Sequence, residues 1–339
     1  MRFQLRSMLT SKLLFHSLVT FACGVLVLPG CSTQPTHPAD PATAAGSASH
    51  RVEDVPQPAW GIATVSVACA RENPGHKSEL GTQVLMGHSV RVWKKCGTWY
   101  EVETEGGYRA WLELGTFDLF SPEALNRWRN SSLAIVTALE TVIHEMPREN
   151  SEAVSDAVVG CLVELVFQDG SFFKVRLPDG RQGYVPASAV EIYTDWKKSR
   201  RPTADSIEAT ARRFLGRPYM WGGNSAKALD CSGFTQLVFF LNGIELPRNA
   251  SQQACCGTPV ELTSDFSQLR KGDLVFFGRP PSSRGPERIT HTGIYLGNNT
   301  FIHSYDRVHI SRLGESQAGS EDRRQRRPLT ARRVLPHLP

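Results

Sequence analysis

The sequence predicts an α+β protein in which two copies of a small β unit precede a domain that runs from helices into an antiparallel sheet. Two observations predict this. Residues 60–118 and 152–194 are both rich in short β-type runs broken by Gly, Asp and Pro. Shifted by 73 positions without a gap, Gly87 meets Gly160, Val90 meets Val163, Gly97 meets Gly170, Val102 meets Val175 and Gly107 meets Gly180. Aromatic positions follow, Trp99 with Phe172, Tyr100 with Phe173 and Trp111 with Tyr184, which marks two copies of one supersecondary unit. Beyond residue 203, apolar runs at helical spacing give way to alternating strands, the order of an α+β domain.

The chain of 339 residues has room for two or three domains. A hydrophobic content of 40% with 21% charged residues is that of a globular protein rather than of a disordered or membrane-embedded one. The net charge of +5 is modest, and much of the excess sits in Arg323, Arg324, Arg326, Arg327, Arg332 and Arg333. No aromatic residues interleave with these arginines, so the cluster reads as a solvated terminal strand and tail, and no nucleic-acid partner is expected.

At the N-terminus, Arg2, Arg6 and Lys12 precede a mostly apolar run from Leu13 to Leu28, which has the form of a secretory signal and is short for a membrane span. The run ends Leu28-Pro29-Gly30-Cys31-Ser32, which resembles a bacterial lipobox with Cys31 as the lipidated residue. A plain signal peptide cut nearby, or a short anchor, is the alternative. Residues 32–58 are rich in Pro, Ala, Thr and Ser and cannot build a core. Extended at ~3.3–3.6 Å per residue, such a tether reaches roughly 90 Å. The expected location is therefore the cell envelope, on an exported, membrane-anchored chain touching the membrane only through lipid.

The first β unit is expected over 59–120 and the second over 151–196. Between them, Ser121-Pro122-Glu123 reads as a helix start with Pro at the first position. Leu125, Trp128, Leu133, Val136, Leu139 and Ile143 then recur at roughly helical spacing, so 121–150 is expected to be a helical connector. The repeat pattern, closing in Gly-Tyr-Arg-Ala-Trp-Leu at 107–112 or Gly-Tyr-Val-Pro at 183–186, is similar to bacterial SH3-like barrels.

The C-terminal domain is expected over 203–335. Thr203 or Asp205 can cap a helix through about Leu215, ended by Gly216. After the turn Tyr219-Met220-Trp221-Gly222-Gly223, a second helix starts at Cys231 behind Asp230, with Phe234, Leu237, Val238 and Leu241 on one face. A short helix is expected around Ala250–Cys255. Strands follow at 273–277, 291–296, 300–305 and 308–313, with a hairpin turn at Gly297-Asn298-Asn299.

Of eight cysteines, Cys23 leaves with the signal and Cys31 carries lipid. Cys69 and Cys96 form a possible disulfide within one unit, no Cys/His spacing points to zinc, and no metal or organic cofactor is implied. Cys231 stands at a helix start between polar Asp230 and Ser232, where the macrodipole favours a thiolate. His291 and His303 lie six residues either side of the hairpin turn at Gly297. Antiparallel pairing therefore brings their rings together, which suits Cys231 as nucleophile, His291 as general base and acid, and His303 as the residue holding the imidazole.

Six segments now carry a resemblance: Tyr219-Met220-Trp221-Gly222-Gly223, Asp230-Cys231-Ser232-Gly233-Phe234, Leu246-Pro247-Arg248-Asn249-Ala250-Ser251-Gln252-Gln253, Gly272-Asp273-Leu274-Val275-Phe276-Phe277, His291-Thr292-Gly293-Ile294-Tyr295-Leu296-Gly297 and Phe301-Ile302-His303. In this order, over about 203–314, they resemble the NlpC-type cell-wall cysteine peptidases. With the SH3-like pair and the lipobox, the chain is similar to a subgroup that cuts peptidoglycan stem peptides between γ-D-glutamate and the following diamino acid.

The resemblance implies a papain-like core with the triad Cys231, His291 and His303. It implies oxyanion or substrate contacts from Tyr219 and Trp221. Asp230 and Ser232 would meet the free L-Ala amine and the glutamate carboxylate, with Arg248 a possible carboxylate partner. The first barrel would wall off one end of the cleft, with Glu79 and Tyr108 as its residues there. The family pattern has Ser where Ala250 stands, a contact Ser251 would have to supply, and Val where Thr292 stands. The expected partner is a stem peptide of the type L-Ala-γ-D-Glu-diamino acid. An amidase or endopeptidase on intact, cross-linked wall is the enzymatic rival. A wall-binding lipoprotein with a retired catalytic domain is the non-enzymatic one, and it predicts loss of a triad position where all three are present.

Overall fold

A computed structural model describes residues 51–283, 285–314 and 328–335. The expected leader, the Cys31 lipidation site, most of the tether, and Arg323, Arg324, Arg326 and Arg327 lie outside the described residues.

The internal repeat is a repeat of whole sheets. In the first unit the strands lie in the order Leu80–Leu85, Val67–Arg71, Arg109–Glu113, Trp99–Thr104, Ser89–Cys96, Trp60–Ala63 and Phe117–Phe120. In the second the order is Ala153–Val158, Glu140–His144, Gln182–Pro186, Phe172–Arg176, Leu162–Asp169, Leu133–Val136 and Val190–Ile192. The sequence offset that aligns the glycines aligns every strand. The shared turn glycines do the same job, Gly97 and Gly170 sitting at φ 62° and 57°, a conformation that a Cβ disfavours.

Two expectations are corrected here. The connector is helical only over α1, Pro122–Arg129, which Ser121 caps by accepting from Ala124 N and which buries Leu125 and Trp128. Residues 133–136 and 140–144, expected to continue that helix, are the first two strands of the second sheet. The run Leu133-Ala134-Ile135-Val136 is wholly buried, and tertiary pairing with Leu162–Asp169 overrides a periodicity that short apolar runs leave ambiguous. The expected tether also ends early. Glu53–Asp54 pairs with Lys94 and Lys95, and Val55 N donates to Trp93 O at 2.9 Å, so this segment extends the first sheet.

A helix α2, Tyr193–Ser199, leaves the second sheet with Trp196 buried. Helix α3, Ala204–Arg212, opens on a capping box in which Thr203 and Ser206 bond each other's backbone N–H. Helix α4, Cys231–Phe240, and the short α5, Ala250–Gln253, follow. A six-stranded sheet completes the domain in the order Thr258–Val260, Thr330–Arg333, Leu274–Arg279, Arg288–Gly297, Thr300–Ser304 and Val308–Arg312. Arg333 is not a solvated tail residue: it donates from two nitrogens to the buried Asp273 carboxylate, at 2.8 and 2.7 Å.

The hydrophobic face of α4 (Phe234, Leu237, Val238) packs with Leu274, Phe276, Ile294 and Ile302 in a core continuous with that of the second barrel. The first barrel has its own core around Val90, Val92, Val102 and Phe117. Polar contacts join all three parts: Lys227 Nζ is 2.6 Å from Asp156, which accepts from Ser66 Oγ at 2.9 Å. No disulfide links Cys69 to Cys96, whose strands are separated by two others. Among the described residues no helix is long and apolar enough to cross a membrane.

Candidate active site

Cys231 is the first residue of α4 because Asp230 caps the helix, its carboxylate accepting from Gly233 N at 2.7 Å. The sulfur is buried, with the backbone N–H groups of Thr292 and Ser232 directed at it. Burial pushes the thiol up to about 12, and the neighbouring Asp230 charge adds to the rise. Burial thus outweighs the helix start, and this environment favours the thiol over the thiolate expected from the sequence.

His291 precedes Thr292, so the strand that touches the sulfur also carries this imidazole. The hairpin turn falls on Asn298 and Asn299, both at positive φ, and a bulge beside Leu296 shifts the register to Ile294↔Ile302 and Tyr295↔Phe301. This corrects the symmetric pairing expected about Gly297. Continued along the ladder, His303 faces Gly293, and His291 reaches it on the diagonal. Gly293 leaves the room: a Cβ there would lie 3.0 Å from His303 Cβ and 2.8 Å from the Phe301 ring. The outcome is His291 Nε2 at 2.8 Å from His303 Nδ1. Burial holds His291 down to about 3, with the nearby His309 lowering it further, so the ring is a neutral acceptor across the ordinary pH range. Burial likewise keeps His303 neutral.

Two residues beyond the sequence reading complete this side of the site. His303 Nε2 lies 3.0 Å from Ser311 Oγ, and the His309 ring is 4.4 Å from the His303 ring, centre to centre. Both sit on the next strand, His309 opposite His303 and Ser311 opposite Phe301. Alternation on 308–313 would have put them on one face, but only the pairing register says that this face meets His303.

On the other side of Cys231, Arg248 donates from two nitrogens to the two oxygens of Asp230, from Nη1 to Ser232 Oγ at 3.0 Å, and from Nε to Thr82 Oγ1 of the first barrel at 3.0 Å. Asp230 also accepts from Gly222 N at 3.0 Å. Asp230, Ser232 and Arg248 are thus together as expected, but all three are buried and engaged with one another. The first barrel abuts them. Leu80 O lies where a Cβ on Gly222 (φ 76°) would be, at 2.2 Å, and Asn224 N donates to Gln83 Oε1 at 2.8 Å.

Tyr108 lies within electrostatic range of Arg248 and Asp230, and its hydroxyl donates to Glu72. Glu79, the carboxylate expected beside it, is exposed, and its backbone carbonyl accepts from Glu72 N at 3.0 Å across the turn. The acidic group at Tyr108 is therefore Glu72. Burial raises Tyr219, and Cys231 and Asp230 raise it further, so its phenol is kept protonated within electrostatic range of Cys231. Trp221 is 65% exposed on the same loop, which removes core packing as its role. Ala250 is buried while Ser251 is exposed, so Ser251 does not point where Ala250 does.

The NlpC/P60 family model matches residues 216–327, and the bacterial SH3 domain model matches 68–116. A Haemophilus influenzae protein named "Probable endopeptidase NlpC homolog" is 30% identical over 172 residues, spanning 50% of this chain and 76% of its own length. The chain belongs to the NlpC/P60 family of cysteine peptidases. A gamma-D-glutamyl-L-lysine dipeptidyl-peptidase of Bacillus cereus is 29% identical over 235 residues, 67% of this chain and 68% of that protein. A crystal structure of an NlpC/P60 family protein from Bacillus cereus superposes with a TM-score of 0.69 at 25% identity, over 82% of this chain and 100% of that one. The NlpC/P60 match contains Cys231, His291 and His303, whereas Glu72, Thr82 and Tyr108 come from the SH3 match.

Proposed function

We propose that this chain hydrolyses the bond between γ-D-glutamate and the following diamino acid in peptidoglycan stem peptides that begin with a free L-Ala. The observation that carries the reading is the seating of the first barrel on Asp230 and Arg248, directly beside Cys231. A cleft closed at that end admits a peptide terminus and excludes a continuing polymer. Glu72 with the Tyr108 hydroxyl supplies an anion and a polar partner for the terminal ammonium. The names of the Bacillus cereus and Bacillus subtilis relatives, both gamma-D-glutamyl-L-lysine dipeptidyl-peptidases, support the same bond.

In this mechanism Cys231 is the nucleophile. His291 Nε2 is committed to His303, so Nδ1 takes the thiol proton as sulfur attacks the γ-carbonyl carbon. The oxyanion is met by the Cys231 backbone N–H and the Tyr219 hydroxyl. His291 returns the proton to the departing amine of the diamino acid as the C–N bond breaks, leaving a thioester on Cys231. Water then attacks, gives its proton to His291, and frees the dipeptide acid and the thiol. The export signal and Cys31 support placing this reaction in the cell envelope on a lipid anchor.

The test is cleavage by the chain lacking residues 1–31, read by mass spectrometry. Free-ended L-Ala-γ-D-Glu-diamino-acid peptide should release the Ala-Glu dipeptide, and Cys231→Ser should release none. Equal cleavage of the N-acetylated peptide or of intact cross-linked wall would replace this reading with an endopeptidase on polymer.

A further inference from the structure

The middle histidine of the chain of rings is itself held. His303 is fully buried, its ring lying between Phe301 at 4.6 Å and His309 at 4.4 Å, centre to centre. Its two nitrogens have one partner each in plane, His291 Nε2 on one side and the half-buried Ser311 hydroxyl on the other. His309 does not compete for them, since its Nδ1 faces Arg307 O at 3.0 Å. The line His291–His303–Ser311 thus crosses three neighbouring strands, with a hydroxyl at its outer end.

A neutral imidazole carries one proton, on one nitrogen or the other, and the choice at His303 is passed to His291. If His303 holds its proton on Nε2, its Nδ1 is an acceptor. His291 must then donate from Nε2, and His291 Nδ1 is left bare for the thiol proton. If His303 holds its proton on Nδ1, His291 carries its own on Nδ1 and cannot act as the base. The first arrangement points a buried N–H outward, and an orphaned N–H is among the costlier buried polar groups. Ser311 Oγ, 3.0 Å from Nε2, can serve either arrangement, but only the first, with its buried N–H, depends on it: accepting there removes the cost, whereas a bare Nε2 loses less without a partner.

We infer that Ser311 is a positioning residue that makes accessible the proton arrangement of His303 and His291 in which His291 can serve as base. The inference rests on the proposed roles of Cys231, His291 and His303. Its readout is independent of turnover, because imidazole nitrogen NMR reports directly which ring nitrogen bears the proton.

Two strand-compatible substitutions test it in the otherwise intact chain. Ser311→Thr keeps a hydroxyl, and Ser311→Val fills the same space without one. Wild type and Ser311→Thr should show the proton on Nε2 of both histidines. Ser311→Val should move the His303 proton to Nδ1 and lower kcat on stem peptide by about 10–100-fold with KM unchanged. The inference is overturned if Ser311→Val leaves the proton on Nε2, whatever its kcat. It is also overturned if the proton moves while kcat stays within about twofold, or if Ser311→Thr loses as much activity as Ser311→Val. A wild-type chain that cleaves no stem peptide would sink the proposed function while leaving the nitrogen comparison readable.

Discussion

Arg248 binds both carboxylate oxygens of Asp230 in a buried ion pair, and its remaining nitrogen reaches Thr82 in the first barrel. One guanidinium therefore holds the cap of the Cys231 helix and the first barrel at once. Removing it leaves a buried charge with only amide and hydroxyl partners. Arg248→Met should destabilise the chain by about 3–5 kcal/mol in urea unfolding, far more than a surface pair would. A loss below about 1 kcal/mol would mean that water, not Arg248, compensates Asp230.

Glu72 and Tyr108 give a second prediction. If they bind the terminal ammonium, Glu72→Gln removes one charge-assisted bond, a loss of about 1.5–3 kcal/mol. KM for free-ended peptide should rise roughly 10–100-fold at near-constant kcat. Glu79→Gln should change neither constant, since the Tyr108 hydroxyl donates to Glu72.

Gly293 is required by the space between two rings. In Gly293→Ala the new Cβ meets His303 and Phe301, so the His291–His303 contact must open. A displacement of about 1 Å in catalytic geometry costs on the order of 100-fold in rate. kcat should fall by that order while circular dichroism still reports a folded chain. Retention of full activity would show that the diagonal contact is dispensable.

His88 joins the two barrels and makes stability depend on pH. Its Nδ1 faces Glu105 at 3.3 Å and its Nε2 faces Gly160 O at 2.9 Å. Both partners are acceptors, so both ring nitrogens donate only in the imidazolium. Burial opposes that charge, but Glu105 outweighs it and raises His88 above 6.5. A raised folded value gives stability that is full below 6.5 and lost as pH climbs through the folded value. Glu105 behaves oppositely. Burial alone would raise it, yet His88 brings it to about 2 from 4.5, so its contribution disappears as pH falls from 4.5 toward 2. The urea midpoint should drop as pH climbs above 6.5 through the raised His88 value in wild type, and His88→Gln should remove that drop.

Much of the site was legible in the sequence. Asp230 ahead of an apolar helical run marks a capped helix start, so Cys231 had to sit at its first turn. The two histidines were expected together because one hairpin joins their strands, although the turn falls on Asn298-Asn299 rather than midway between them. The details that failed are those where short-range pattern is degenerate. Leu133–Val136 fits helix or strand, and only its pairing with Leu162–Asp169 decides, although the repeat offset carried back to Trp60–Ala63 would have found it. The turn at Asn298-Asn299, with the bulge beside Leu296, left Gly293 and not His291 opposite His303. Glu72 and Glu79 are both acidic residues near one turn, and nothing local tells which carboxylate turns toward Tyr108.

By itself, the sequence determined the two repeated β units, the helix-then-sheet order, and the chemistry of a helix-start thiol with two histidines. These follow from backbone periodicity and side-chain type, which are local properties. The tertiary structure alone decided that the first barrel seats Thr82 and Tyr108 beside Asp230 and that Ser311 meets the far nitrogen of His303. Such contacts join residues distant along the chain, and their partners are chosen by strand register and by the packing of one sheet against another.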